Sequence, residues 1–270
     1  MKKIALCLLA LFCCAEARAE ELTLAIQPQP SVALEQLTAM TAPLAAKISA
    51  AVKSSIRPVL SKNSAEYEAE LLRGGIAIGY QNPLLYVKAA DRHEVLLTAS
   101  EGKNGGQLHG IVISRPVSGI SKAADLKGKR IMIVSRASAG GYLSQKQTLK
   151  EAGLDVERDC QIAEAAENRE ENVILAVSLG DADAGFIPAS ALHKADEFIP
   201  PGAVAEVLQT APLPNWALSV SRSLPQELKD GIQTALAQLP ENDPALAALG
   251  ISGFKPAQDA DYNPVRSLAE

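Results

Sequence analysis

Histidine and cysteine, the usual residues of metal and redox sites, are scarce in this sequence of 270 residues. The three histidines, His93, His109 and His193, lie far apart and share no spacing that would suit a zinc site. Three of the four cysteines precede residue 15, so Cys160 is alone in the rest of the chain and an internal disulfide there is excluded. A lone thiol can be a soft-metal ligand, but a tolerated small side chain is the simpler interpretation. We therefore expect no metal site and no cofactor.

The motifs of the common enzyme classes are also missing. The sequence contains no G-x-S-x-G elbow, no Walker loop and no G-x-G-x-x-G segment. Asp181 and Asp183 form a carboxylate pair, but their place before a predicted strand indicates a helix-strand connection. The residues of a Ser-His-Asp triad can lie at any spacing in a sequence, so an exported hydrolase is kept as one hypothesis, besides the two that are given at the end of this section. No residue pattern supports it, and we expect a protein that is not an enzyme.

Basic clusters and a second long hydrophobic run are absent as well. The formal net charge is −5, and an acidic chain with no basic block is a poor partner for nucleic acid. The one strongly apolar run, residues 4–14, follows two lysines and precedes Ala17-Arg18-Ala19, a small-x-small cleavage site. We predict a signal peptide over residues 1–19, whose removal takes the formal charge to −7 because it carries three basic side chains and one acidic one. The expected product is a soluble periplasmic monomer; a lipoprotein is the minor alternative, disfavoured by the bulky Phe12 before Cys13.

The rest of the sequence alternates short apolar segments with amphipathic ones, which predicts an α/β protein with sheets covered on both sides. Two groups of these units, joined by two crossing segments, predict two lobes with a cleft between them. We expect lobe 1 to comprise residues 20–108 and 214–270, and lobe 2 to comprise residues 109–213. Within lobe 1, Thr41 is predicted to cap a helix that has Pro43 in its first turn. Pro58 predicts that its short strand lies at a sheet edge.

The segment from residue 125 to residue 143 predicts a turn, a buried strand, a small-residue loop and the start of a helix. Residues 131–134 are a continuous apolar run, and Ser138, Ala139, Gly140 and Gly141 let the backbone approach a bound molecule closely. A helix that begins in this loop has unpaired N–H groups and a partial positive charge at its first turn. These residues are therefore candidates for an anion site.

Other candidate contacts follow strands. Tyr80 and Asn82 lie at the end of the strand predicted at residues 76–80, and strand ends in open α/β sheets face the ligand crevice. Tyr86 lies one turn further on, where it could contact a ligand or belong to the core. Trp216, the only tryptophan, follows the second crossing segment and could line the cleft or simply pack there.

Several segments, taken in order along the whole mature chain, resemble the phosphonate-binding (PhnD-like) family of periplasmic solute receptors for ABC transporters. They comprise Asn82–Val87, Ala124–Arg130, Ser138–Leu143, Ala176–Gly185, Pro212–Asn215, Gly253–Pro256 and Asp259–Arg266. The resemblance implies a type II periplasmic-binding-protein fold that closes around a small anion at its hinge, and it adds Tyr142 and Asn215 to the candidate ligand contacts.

The sequence departs from this family in the loop that reads Ser-Thr-Ser-Gly-Tyr there and Ser-Ala-Gly-Gly-Tyr from Ser138 to Tyr142 here. Two hydroxyl donors are lost, and each should cost roughly 1.5–3 kcal/mol of binding to a charged ligand. The guanidinium of Arg136 could replace them, or it could point into solvent. A typical alkylphosphonate is therefore less well supported than a small oxyanion in general.

The leading hypothesis is a periplasmic receptor that captures a phosphonate-, phosphite- or phosphate-like oxyanion and delivers it to an ABC permease. The alternative is a ligand-sensing receptor that docks on a membrane sensor kinase, as arsenite-sensing relatives of this family do. In that case Cys160 could be a soft ligand.

Overall fold

The structure is a computed structural model that describes residues 21–29, 32–102 and 105–269. The signal peptide predicted at residues 1–19 lies outside the described residues. Within them, no helix combines the length and the apolar character needed to cross a membrane.

The strands, in chain order, are β1 (Leu22–Ile26), β2 (Ile56–Pro58), β3 (Ile78–Gln81), β4 (His93–Ser100), β5 (Gln107–Leu108), β6 (Gly110–Ser114), β7 (Arg130–Ile133), β8 (Gln161–Glu164), β9 (Ala184–Pro188), β10 (Ala205–Gln209), β11 (Leu213–Pro214), β12 (Ala217–Ser221) and β13 (Gly253–Pro256). The helices are α1 (Leu34–Val52), α2 (Ser64–Arg73), α3 (Pro83–Ala89), α4 (Ser144–Glu151), α5 (Val156–Asp159), α6 (Glu170–Leu179), α7 (Ala189–Leu192), α8 (Gln226–Ala237), α9 (Pro244–Leu249) and α10 (Asn263–Ala269).

Two α/β sheets organise the described chain. The first has the strand order β13-β4-β12-β3-β1-β2, with β1 parallel to β2 and β3 and with β12 antiparallel to its neighbours. The second has the order β10-β6-β9-β7-β8, with β7 parallel to β8 and β9. Strand β2 is at the edge of its sheet, as Pro58 predicted, because proline cannot donate to a second neighbouring strand.

The chain passes between the sheets twice, and the two passages pair with each other. Strands β5 and β11 form a small antiparallel ribbon in which Leu108 lies opposite Leu213. Strands β12 and β13 then complete the first sheet. Each sheet has its own apolar core, the first built around Leu24, Ile78 and Leu218.

One helix boundary predicted from the sequence is wrong. Residues 34–52 form a single helix, α1, which contains Pro43 in its interior and does not restart at Thr41. The Thr41 hydroxyl donates to the Leu37 carbonyl at 2.7 Å instead of capping a new helix. The apolar face that includes Leu44 and Ile48 is fully buried, and this burial outweighs the hydrogen bond that Pro43 cannot make.

A chain of buried polar side chains crosses the first sheet behind the cleft. Tyr67 donates to Gln81, Gln81 donates to Ser219, and the Ser219 hydroxyl contacts Nδ1 of His93 at 3.0 Å. The other ring nitrogen of His93 lies 3.0 Å from the Ile76 carbonyl. A carbonyl only accepts, so Nε2 of His93 carries a proton. Burial of the ring lowers the pKa of His93 to about 4.

We predict that His93 makes the free energy of unfolding fall in acid. The unfolded chain binds a proton at His93 below about pH 6.5, whereas the folded chain does so only below about pH 4, so stability falls as the pH drops through this window. We expect a loss of about 3 kcal/mol between pH 7 and pH 4 from this group alone. Urea unfolding of the wild type and of His93→Gln at several pH values measures it. An equally steep pH dependence in the variant would contradict the assignment.

Candidate ligand-binding site

A cleft lies where the carboxyl ends of the parallel strands of both sheets meet. Its walls are formed by the segments that follow β1, β2, β3, β7 and β8, together with the end of β9. The cleft has two adjoining chambers, of about 320 and 640 Å³, which share Gln29, Leu108, Glu170, Pro188 and Trp216. We call the smaller one the first chamber and the larger one the second chamber.

Helix N-termini surround the first chamber. Ser64 begins α2, Asn82 caps α3, and Glu170 begins α6, and all three residues line the chamber. From the second sheet, the loop after β7 adds Ser138 and the helix that starts beside it. The N-terminal ends of helices carry partial positive charge and N–H groups that are not used within the helix. The backbone dipoles therefore give the chamber a positive electrostatic potential, and no guanidinium is needed for it.

The loop after β7 has a compact geometry that leaves two amides without partners. The Ser138 hydroxyl accepts from the Gly141 amide at 3.0 Å, and the Ser138 carbonyl accepts from the Leu143 amide at 3.0 Å. Residues 139–143 consequently form a π-helical turn that continues into α4. Within the described residues, the amides of Ala139 and Gly140 have no hydrogen-bond partner, and both residues line the first chamber.

Close packing explains why this loop consists of small residues. A Cβ on Gly140 would lie 2.8 Å from Cδ1 of Leu108, and a Cβ on Gly141 would lie 2.6 Å from Cγ2 of Val134. The fully buried Gln145 holds the loop in place, because its side-chain amide donates to the Gly140 carbonyl at 2.7 Å. The same amide reaches carbonyls of β6 and β9 at 3.2 and 3.1 Å. Gln145 is not evident from the sequence, where its only signal is a polar residue on the inner side of a helix.

Asn82 joins the opposite wall of the first chamber. Its Oδ1 accepts from the Leu85 backbone amide at 2.8 Å and so caps α3. The backbone amide of Asn82 donates to Oε1 of Gln27 at 2.9 Å. Gln27 follows β1 and lines the chamber, together with Gln29. These two glutamines were missed in the sequence, although the rule that selected Asn82 after β3 applies equally to the residues after β1. Asn168 and Glu170, after β8, were missed in the same way.

The charged side chains of the cleft are mainly carboxylates. In the first chamber the Lys88 ammonium lies 2.9 Å from Glu68, and Glu170 carries the other charged side chain that the described residues place there. Among the described residues, the second chamber is lined by four carboxylates and one cation, Lys194; the carboxylates are those of Glu101, Glu170, Glu171 and Glu241. The helix ends and neutral donors of the cleft therefore favour a negatively charged ligand, while its side-chain charge opposes one.

The structure brings six of the eleven predicted contacts to the cleft. Ser138, Ala139, Gly140 and Asn82 line the first chamber, Asn215 lines the second, and Trp216 lines both. The side chain of Asn215 donates to Glu101 at 3.1 Å and accepts from the Trp216 amide at 2.8 Å. Its carboxamide therefore shapes the junction with the ribbon of β5 and β11.

The predicted contacts Tyr80, Tyr86 and Gly141 do not line either chamber. Tyr80 is buried, and the centroid of its ring lies 5.2 Å from that of Trp216, so it packs against the tryptophan that lines the cleft. Tyr86 is fully buried and its hydroxyl donates to Asp259 at 2.6 Å. The amide of Gly141 is already bonded to Ser138.

Arg136 and Tyr142 also lie away from the cleft lining, in contrast to the expectation from the sequence. Both side chains hydrogen-bond to Glu157, and the guanidinium of Arg136 lies 3.5 Å from Glu164 as well. Two carboxylates therefore hold this guanidinium outside the chambers. Cys160 packs against an apolar cluster of the second sheet that includes Leu126, and its thiol donates to the Leu126 carbonyl at 3.2 Å. It lines neither chamber.

Removing the Arg136 guanidinium should therefore leave ligand affinity nearly unchanged. We expect Arg136→Ala to alter the affinity for the best anion by less than about threefold and to cost at most about 1 kcal/mol of stability, since its ion pairs are half exposed. Lys88→Ala is the comparison, because Lys88 does line the first chamber and its removal leaves the carboxylate of Glu68 there without its counter-ion, so we expect this variant to weaken anion binding about tenfold. Titration calorimetry measures both. A tenfold or greater loss in Arg136→Ala would place the guanidinium at the ligand.

Solved structures of binding proteins share this architecture. A binding protein component of an ABC phosphonate transporter from Pseudomonas aeruginosa is 16% identical, with a TM-score of 0.70, over 92% of this chain and 85% of that one. PhnD1 from Prochlorococcus marinus, in complex with methylphosphonate, is 13% identical with a TM-score of 0.73, over 92% and 96%. XAC2383 from Xanthomonas citri, bound to chloride, is 16% identical with a TM-score of 0.74, over 92% and 95%.

Two α/β lobes with a cleft at a two-segment connection define the type II periplasmic-binding-protein fold, and this chain has that fold. Residues 27–262 match the family model described as the phosphonate periplasmic substrate-binding protein of ABC transporters. The chain belongs to this family. Its members bind small solutes for transport and are not enzymes, which confirms the expected class of protein.

Proposed function

We propose that the protein is a periplasmic receptor that captures a small oxyanion of the phosphonate, phosphite or phosphate type and delivers it to the permease of an ABC transporter. The observation that carries this proposal is the pair of unpartnered amides, those of Ala139 and Gly140, at a helix N-terminus that lines the first chamber. Backbone amides at such a position bind anions without a charged side chain.

The other donors of the first chamber suit a tetrahedral oxyanion. Hydroxyls of Ser135 and Ser138 stand on the second-sheet wall, and the carboxamides of Gln27 and Asn82 stand on the first-sheet wall. Donors from both walls would be satisfied together only when the lobes close on one ligand, which is the closure we propose for this protein. PhnD1 was solved with methylphosphonate and XAC2383 with chloride, and both are anions.

The remaining parts of the proposal follow from the same role. Residues 1–19 serve as a cleaved export signal, lobe 1 comprises residues 20–108 and 214–270, and lobe 2 comprises residues 109–213. The mature receptor acts as a monomer, binds no nucleic acid and carries its solute to the permease. Cys160 lies outside both chambers, so it gives the sensor-kinase alternative no soft ligand in the cleft.

Thermal unfolding with a panel of anions tests the proposal. The chain starting at residue 20 is melted with phosphate, phosphite, methylphosphonate, sulfate or arsenite. A ligand at one hundred times its dissociation constant stabilises the native state by about 2.7 kcal/mol, which should raise the melting temperature by about 5–10 °C. Sodium chloride at matched ionic strength is the control for unspecific salt effects. If none of the anions shifts the transition at millimolar concentration, the oxyanion proposal fails.

Delivery to a permease has a separate test. In proteoliposomes that contain the cognate ABC transporter, the ligand-loaded protein should stimulate ATP hydrolysis more than the ligand-free protein does. Equal stimulation by both forms, or none by either, would contradict the transport role even if the anion binds.

A further inference from the structure

Of the carboxyl groups in the described part of the chain, that of Glu170 alone lines both chambers of the cleft. Glu170 is the first residue of α6, and no cation lies within 4 Å of it among the described residues. The adjacent Arg169 pairs instead with Glu171 at 3.5 Å, and Lys88 across the chamber pairs with Glu68. The carboxyl group of Glu170 therefore stands without a counter-ion beside the proposed anion site.

The surroundings of Glu170 favour its accepting or sharing a proton. Burial raises the pKa of this carboxyl group, as do the neighbouring charges of Glu171 and Glu101, whereas the hydrogen bond from its own backbone amide and the charge of Lys194 lower the pKa. Lys194 lines only the second chamber. No cation of the first chamber is left to neutralise both Glu170 and a fully ionised ligand.

A carboxylate can only accept hydrogen bonds. When an oxyanion oxygen approaches it, one of the two groups must carry a proton, because two unprotonated oxygens repel each other. A phosphonate, phosphite or phosphate with one acidic proton meets this requirement. A sulfonate or sulfate stays fully ionised near neutral pH, so the carboxyl group of Glu170 would have to take up the proton instead, and this uptake costs binding free energy above the pKa of that group.

We propose that Glu170 makes the first chamber selective for oxyanions that carry an acidic proton and rejects those that cannot. This inference rests on the proposed function, since it names the property that selects among oxyanions at the same site. Glu170 is then a specificity-determining residue that contacts the ligand through a shared proton. The backbone amides of Ala139 and Gly140 supply the attraction, and Glu170 supplies the discrimination.

Methylphosphonate and methanesulfonate test this selectivity, because they have the same shape and differ in whether they can carry the proton. Titration calorimetry of the full mature chain should show methylphosphonate binding at least 100-fold more tightly than methanesulfonate. In Glu170→Gln the ratio should fall below about tenfold, mainly because methanesulfonate gains affinity from the new amide donor. Glu206→Gln, on the exposed surface of β10 and outside both chambers, should keep the wild-type ratio.

Each of the other outcomes overturns the inference. Equal binding of the two ligands by the wild type, which needs no variant and so no check on folding, shows that no proton is required. An unchanged ratio in a folded Glu170→Gln variant assigns the discrimination to other groups. If aminomethanesulfonate binds the wild type as tightly as methylphosphonate, Glu170 holds an ammonium group instead. In these three cases the oxyanion receptor stands, whereas failure of every anion removes the proposed function itself.

Discussion

Replacing Ser138 with aspartate is expected to abolish oxyanion binding while the protein stays folded. Aspartate is as good an N-terminal helix cap as serine, so it can accept from the Gly141 amide as the Ser138 hydroxyl does. Its charge, however, lies in the first chamber beside the amides of Ala139 and Gly140. At about 4–5 Å from a bound anion, this charge costs roughly 3–4 kcal/mol, which corresponds to two or three decades of affinity.

Ser138→Asn is the matched control for this variant. It caps the helix with an uncharged group of nearly the same size. We expect it to retain anion binding within about tenfold, and we expect both variants to melt within a few degrees of the wild type. Calorimetric titration with the best anion, together with thermal unfolding, separates charge from structure. If Ser138→Asp binds anions as tightly as Ser138→Asn, the anion does not sit at this helix end.

Replacing Gln145 with leucine should give the largest loss of stability among the loop variants. Its amide is the hydrogen-bond donor that joins the Gly140 carbonyl to carbonyls of β6 and β9 in a fully buried setting. Leaving such acceptors without a donor costs about 1–3 kcal/mol each, partly offset by burying an apolar side chain. We expect a loss of about 2–4 kcal/mol, or about 5–15 °C in melting temperature. Anion affinity should fall about tenfold, because Gly140 is no longer held in place.

Gln147→Leu provides the comparison on the same helix. The Gln147 side chain donates to Glu151 at the surface, at 2.7 Å, and makes no hydrogen bond to β6 or β9 in the described part of the chain. We expect a change of stability within about 0.5 kcal/mol and wild-type affinity. Thermal and urea unfolding of both variants measure the difference. Similar stabilities for Gln145→Leu and Gln147→Leu would show that the buried carbonyls do not depend on this amide.

The sequence was sufficient to predict the order of most strands and helices. The apolar run at residues 131–134 and the small residues after it predicted β7, the loop and the helix beyond, because backbone preferences and apolar patterns are local properties. The boundary at Thr41 failed for the opposite reason. Local signals favour a cap there, but the burial of a continuous apolar face keeps α1 in one piece across Pro43.

The candidate site was predictable only in part. Asn82, Ser138 and Gly140 could be selected because they follow strands whose carboxyl ends must face the cleft. Arg136 and Tyr142 occupy the same stretch, yet the carboxyl group of Glu157 draws both side chains away. No spacing in the sequence shows which distant carboxyl group a side chain will meet.

By itself, the sequence determined the α/β alternation, the acidic charge and the position of a small-residue loop at a helix start. These features follow from neighbours within a few positions along the chain. Only the tertiary structure decided that Gln27, Asn168 and Glu170 share a chamber with this loop and that, in the described part of the chain, the amides of Ala139 and Gly140 are left without partners. The physical reason is that a binding site is made by strand ends brought together from distant segments, and their approach is set by the packing of the whole fold.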